Sequence, residues 1–156
     1  MEITVKALYE LLDVTIEGPG DAVTVHASVD VSADNLLDIA GACIGASDKM
    51  AVAGKLIADA RARRDVRAIK KVTQETARIV EDALVLAIGR DSLDEVVGAA
   101  TGGDNASPSA CYEVLGAVLM AVKDIVMDRY GDRMDEKAAH YLSEVADAQP
   151  EPDAGN

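Results

Sequence analysis

The sequence predicts an α+β fold that is mostly α-helical: an N-terminal β-hairpin packed on, or extended from, a helical bundle with one long or broken central helix. Three observations carry that expectation. Val23, Val25, Ala27, Val29 and Val31 alternate with Thr24, His26, Ser28 and Asp30 behind Gly18-Pro19-Gly20-Asp21, the period-2 pattern of a strand with one buried face. From Asp34 onward, apolar residues recur at three- and four-residue spacing almost to the end of the chain, as on helices with one buried stripe. Finally, 156 residues are enough for one ordinary domain and too few for several modules.

Composition narrows the kind of core this domain has. The apolar fraction is 49%, but 27 of those residues are alanine and there is no Phe or Trp, so the core is expected to be aliphatic and shallow. Val, Leu and Ile together number 39, enough to expect a soluble, folded domain instead of a disordered chain. The expected organisation is a single domain over 1–147, with a hairpin region over 1–32 and a helical region over 33–147, followed by a flexible acidic tail over 148–156.

Along the chain, the first dozen residues carry two patterns. Val5, Leu8, Leu11 and Leu12 have helical spacing behind Thr4, whereas Ile3, Val5 and Ala7 alternate as in a strand; the reading adopted is a short helix. Val14-Thr15-Ile16 then opens the hairpin, and Pro19-Gly20 has the chemistry of a type II turn. Because a lone two-stranded ribbon is marginal in water, the hairpin must lie on helices or gain strands from another copy.

Asp34 is expected to cap a short helix to about Cys43, loosened by Gly41 and Gly45, with Ser47 or Asp48 capping the next. That next helix runs from about Lys49 to Ile88, and its apolar phase switches near Ala58 to Ala62. Met50, Ala53, Leu56 and Ile57 lie on one side, and Val66, Ile69, Val72, Thr76 and Val80 on nearly the opposite side. Either the helix breaks there or two bodies grip one long helix from different directions. Ser92-Leu93-Asp94-Glu95 reads as a capping box opening a short helix. Ser107-Pro108 reads as the start of a core helix that Gly131 ends, and Asp132 caps a last one carrying Met134, Ala138, Tyr141, Leu142 and Val145. Asp34 to Gly45 resembles Asp91 to Gly102 at an offset of 57 residues, which is read as recurrent capping chemistry.

Charge is unevenly laid out. Lys plus Arg is 15 against 28 acidic residues, a formal charge of -13, which opposes sequence-independent binding to duplex DNA unless the cations are gathered in one place. Arg61, Arg63, Arg64, Arg67, Lys70 and Lys71 are so gathered: residues 61–71 carry +5 and leave -18 on the rest. On a continuous helix, five of these cations share one face opposite Val66, Ile69 and Val72. Like charges at i,i+4, such as Arg67 with Lys71, destabilise such a face, so it is expected to stand beside anions. These are either nucleic acid, a phosphate ligand or an acidic protein surface, or the protein's own carboxylates such as Glu113, Asp124 and Asp128.

Nothing else in the chain assembles a chemistry. Cys43 and Cys111 lie in no CxxC and no Cys/His cluster, so no zinc site is expected. They are read as buried free thiols of a reducing compartment, with a disulfide between them as the alternative. His26 stands on the hairpin's polar face without a nucleophile and orienting carboxylate arranged for catalysis. Asp124, Asp128, Asp132, Asp135 and Glu136 read as a solvated acidic face. Gly41-Ala42-Cys43-Ile44-Gly45-Ala46-Ser47 lacks the Lys of a phosphate loop and does not follow a strand. No secretory signal is visible, and the longest apolar run, Val114 to Val122, is nine residues where a span needs about 20, so a cytoplasmic protein with no membrane partner is expected. No metal or cofactor is expected either. The function expected is that of a non-enzymatic, self-associating assembly or adaptor protein, with a homo-oligomer expected from the under-partnered hairpin and the helix whose apolar face changes side; the alternative is a module binding nucleic acid or a phosphate ligand through residues 61–71. A small enzyme, the third class, has no constellation behind it.

Overall fold

The structure, a computed structural model, describes residues 1–103 and 111–148, with side chains described through Gly131 apart from that gap. It opens with a hairpin of β1 (Tyr9–Ile16) and β2 (Val23–Asp30), followed by α1 (Ala33–Ala62), α2 (Val66–Ile88), α3 (Arg90–Thr101) and α4 (Tyr112–Ala148). The strands pair antiparallel, in register from Tyr9 opposite Asp30 to Ile16 opposite Val23. α1 packs on α2 and both pack on α4, while β2 lies on α2 and α3, and β1 touches α3 and α4. The mostly helical α+β class expected from the sequence is the one observed.

Three local expectations are corrected at the hairpin. Residues 1–8 form no helix, and the first strand starts at Tyr9, because the even-numbered Leu12, Val14 and Ile16 find a helical surface to rest on and a helix would scatter them. The connection is a loop over residues 17–22, and Gly20 does not take the positive φ that a type II turn requires at that position. The buried face is the expected one: Val25, Ala27, Val29 and Val31 are all buried.

Asp30 joins the hairpin to the bundle. Its carboxylate accepts from the Ser32 backbone N–H at 2.8 Å and from Asn35 Nδ2 at 2.6 Å, and these hydrogen bonds, the Ser32 backbone one foremost, hold its pKa below the ordinary carboxylate value. The position before α1 is therefore Ser32, with Asp34 inside the first turn, not capping it as expected. α1 also does not stop near Cys43. It runs unbroken through Gly41, Gly45 and Ser47 to Ala62. An interior glycine costs a helix about 1 kcal/mol relative to alanine, less than α1 recovers by burying Leu36, Ile39, Cys43, Ala46 and Ala53 along one seam. Ser47, expected as a cap, instead accepts a hydrogen bond from Lys123 Nζ at 3.0 Å.

The phase switch near residue 60 is a break. α1 ends at Ala62 and α2 starts at Val66 with Asp65 as its N-cap, so the apolar stripe changes side because the chain reverses. Val66, expected in the seam of α2, is 73% exposed, and burial on that helix starts with the half-buried Ala68, Ile69 and Val72.

Gly89, at φ 86° and ψ 158°, precedes α3, in a region open essentially to glycine alone. The chain therefore turns at Gly89, and Ser92 lies inside the helix where the capping box placed it at the start. α3 closes on Gly102 in the left-handed conformation, whereas its counterpart Gly45 at the 57-residue offset lies inside α1. The two segments share composition and not structure. α4 continues through Gly131 without stopping. The start signal at Ser107-Pro108, the side-chain stripe from Met134 to Val145 and the tail beyond Ala148 lie outside the described residues.

One aliphatic core joins hairpin and helices, drawing on Val29, Leu36, Ile39, Val80, Leu84, Leu93, Val96, Leu115, Leu119 and Val122. α1 and α4 run antiparallel, with Ser47 against Lys123 and Met50 against Gly116. A Cβ on Gly116 would meet the end of the Met50 side chain at 2.7 Å, so that glycine lets the methionine fill the space between the helices. Cys43 and Cys111 are both buried and free. Cys111 lines the same cleft as Ile57 and Arg61, about 20 Å along α1 from Cys43 at the helical rise, so they are not disulfide partners. Burial pushes the Cys43 thiol up to about 11 even with Lys123 nearby. Among the described residues, no helix is long and apolar enough to cross a membrane.

Candidate docking surfaces

The six cations singled out in the sequence sit at the reversal between α1 and α2, and their placement follows from how that turn is closed. The Asp65 N–H donates to Ala60 O at 2.8 Å and the Arg64 N–H to Arg61 O at 3.0 Å, the pair of bonds that satisfies the last carbonyls of a helix in a Schellman motif. The motif demands a left-handed residue, and here it is Arg64, at φ 55°. A residue other than Gly or Asn is uncommon there, at a cost of about 1–2 kcal/mol. Asp65 then turns its side chain onto the Ala68 N–H at 3.1 Å and starts α2.

As a result, the basic group is not one helix face. Arg61 ends α1, Arg63 and Arg64 form the turn, and Arg67, Lys70 and Lys71 lie in the first two turns of α2. All six are exposed, as expected, but the pairing of Arg63 with Arg67 at helical spacing is interrupted by the turn. The helix dipoles treat the two sides differently. Arg61 and Arg63 sit at the negative end of α1, whereas Arg67, Lys70 and Lys71 add to the positive end of α2, whose first turn holds no acidic residue. Among the described residues none of the six takes part in an ion pair; the ion pairs there involve His26, Arg90 and Arg129. Glu113 lines a cleft with Arg61 without reaching it, and Asp124 and Asp128 stand exposed further along α4.

That cleft, of about 510 Å³, opens where the end of α1, the start of α2 and the start of α4 meet. Its walls are mostly apolar, with Ile57, Ile69 and Val114, and Arg61 is the one cation among its described lining residues. The Thr73 hydroxyl there is already donating to Ile69 O at 2.7 Å. Burial raises the pKa of Cys111 and of Tyr112, so both stay protonated at neutral pH and the thiol is a poor nucleophile.

A second surface escaped the sequence reading. Along β1 the even-numbered side chains face the helices and the odd-numbered ones face away, leaving Leu11 72% and Tyr9 54% exposed. Every residue of 1–8 is exposed as well, including Ile3 at 79% and Val5 at 76%. The alternation of Ile3, Val5 and Ala7 was the available signal, outweighed by the helical spacing of Val5, Leu8 and Leu12. The last fixed points of this segment are the Leu8 carbonyl, which accepts from Val31 N–H at 3.0 Å, and the Ala7 carbonyl, which accepts from Arg129 Nη2 at 3.1 Å. On the same outward face His26 Nδ1 meets Asp13 Oδ1 at 2.7 Å, an exposed cross-strand pair.

A third, shallower hollow of about 430 Å³ lies between α1 and α2, where Gly41, Ala42, Gly45 and Ala46 face Ile79 and Leu86. The glycine-rich run set aside as a phosphate loop is thus a helix face. Among the described residues no group of His, Cys, Asp and Glu is arranged to hold a metal ion. No family model, curated protein or solved structure matches the chain, so its surfaces are read from their own geometry.

Proposed function

We propose that the chain works by self-association, as a non-catalytic assembly or adaptor subunit. The observation that supports this best is the exposed apolar group of Tyr9 and Leu11 on the outward face of β1, with Ile3 and Val5 in the segment before it, beside a two-stranded sheet whose outer edges have no strand neighbour among the described residues. An exposed apolar strand with open backbone groups is a template for pairing, and isologous pairing is the commonest outcome for such a surface. The reading goes with a cytoplasmic location, which two reduced, buried thiols fit. Sedimentation velocity over a wide range of concentration, at low and high salt, tests it: a concentration-dependent oligomer is expected, and a monomer throughout overturns it.

A second reading is favoured by the turn. Six exposed cations that form no ion pair among the described residues, beside the positive end of α2 and around a left-handed arginine, suit an anionic partner: nucleic acid, a phosphate ligand or an acidic protein surface. Replacing Arg63, Arg64 and Arg67 together with Gln is expected to abolish a salt-sensitive retention on heparin or nucleic acid while leaving the sedimentation profile unchanged. Retention that survives the triple substitution overturns this reading.

A further inference from the structure

We propose that residues 1–7 pair antiparallel with the same segment of a second copy, about a two-fold axis through Thr4. This rests on the self-association reading above and gives it a segment and a register. The segment reads Met1-Glu2-Ile3-Thr4-Val5-Lys6-Ala7. Laid antiparallel against itself with Thr4 opposite Thr4, it sets Glu2 of each copy opposite Lys6 of the other, Ile3 opposite Val5, and Met1 opposite Ala7. Both charged pairs are then of opposite sign and both aliphatic pairs are matched, the cross-strand combinations that favour strand pairing. In this register the apolar side chains of both copies lie on one face and the charged ones on the other, as period-2 geometry requires.

The fold leaves this segment available. Residues 1–8 are exposed throughout. Residues 1–7 take no regular structure and Leu8 is a bend, so the segment is not committed to any element of the fold; drawn out as a strand, positions 1, 3, 5 and 7 share one face. Residues 1–16 therefore carry two apolar rows, one inside β1 and one running on into the segment before it. The even row, Leu12, Val14 and Ile16, packs against the chain's own core. The odd row, Met1, Ile3 and Val5, is exposed, and nothing in the described fold lies over it. A second copy supplies the same row and the complementary charges, whereas an unrelated partner has no reason to match Glu2 and Lys6 at a spacing symmetric about Thr4. A register centred on Leu8 is poorer, since it sets Ile3 opposite Asp13 and Glu2 opposite Val14.

Charge reversal and cross-linking in the full chain test the register. Lys6→Glu places carboxylates opposite each other at both ends of the pair and is expected to weaken dimerisation about tenfold at low salt; Glu2→Lys is expected to do the same. The double variant Glu2→Lys/Lys6→Glu restores the pairing and is expected to return the dissociation constant to within about twofold of the original. Thr4→Cys faces its own copy across the axis, so mild oxidation is expected to give a reducible dimer, with the buried Cys43 and Cys111 remaining unreacted. All four positions are exposed, and circular dichroism confirms that the variants remain folded. A chain that dimerises but ignores both charge reversals, or cross-links through Leu8→Cys and not Thr4→Cys, overturns this register and leaves self-association standing. A monomeric chain overturns both.

Discussion

The two ends of the helical bundle are built from different residues. At the hairpin end, where α1 starts, α2 finishes and α3 crosses, Val29, Val31, Leu36, Ile39, Val80, Leu84, Leu93 and Val96 are all fully buried. At the turn end, α1 past Ile39 and α2 before Val80 contribute no large side chain to that fully buried set. Their buried positions are Cys43, alanines and Thr76, with Ile57 and Ile69 left half-buried around the cleft. Buried aliphatic area is the main favourable term in folding. The hairpin end therefore holds most of the large buried side chains of α1 and α2, while the turn end is packed chiefly by Leu115 and Leu119 of α4 and presents charge.

Truncations at the two ends test that contrast most strongly. Leu84→Ala is expected to cost about 2–5 kcal/mol, as for other fully buried leucines, and Ile57→Ala at the cleft about 1 kcal/mol, both read from chemical denaturation. Equal losses would break the comparison. Hydrogen exchange sharpens it further, with faster exchange expected around residues 57–73 than around 80–88.

Smaller effects are expected at the turn itself. Asp65→Ala removes the only side-chain cap of α2 and is expected to cost about 1 kcal/mol. Arg64→Gly relieves the left-handed backbone and is expected to gain up to about 1 kcal/mol, measured as a rise in the denaturation midpoint. A loss of stability on that substitution would mean that the Arg64 side chain holds the turn through more than its backbone.

The smallest effect expected lies at the junction of hairpin and bundle. The Asp30 carboxylate has a folded pKa below its ordinary value, so its contribution is present above the unfolded pKa and is lost as pH falls through the folded one. The stability difference between the original chain and Asp30→Ala should therefore shrink in acid. A difference that stays constant to low pH would show that the ionised carboxylate does not matter to the junction.

Much of the local architecture was legible in residue order. Alternating apolar positions from Val23 to Val31 specified a strand and its buried face, because a one-residue slip would turn the row to solvent; four of the five are buried, and Val23 beside the loop is 49% exposed. The change of phase after Ile57 marked either a break or a second packing body, because a stripe that jumps to the opposite side of a helix cannot stay on one core, and the reversal at Arg63 to Asp65 is the break. The six clustered cations were visible as a group, and all proved exposed. Their shape was not visible: a wheel drawn through residues 61–71 assumes a continuous helix, and the chain instead turns on a left-handed arginine.

What the sequence by itself determined was the set of periods, charges and candidate caps, all of which act between residues a few positions apart. Only the tertiary structure decided which of those local signals prevailed. Gly41, Gly45 and Gly131 did not end helices, since a helix held along a long seam tolerates the roughly 1 kcal/mol that each glycine costs. Tyr9 to Leu12 became strand because β2 and the helical layer together could bury a period-2 row. Whether a local preference of about 1 kcal/mol is obeyed depends on what packs against it, and that partner lies far away in the chain.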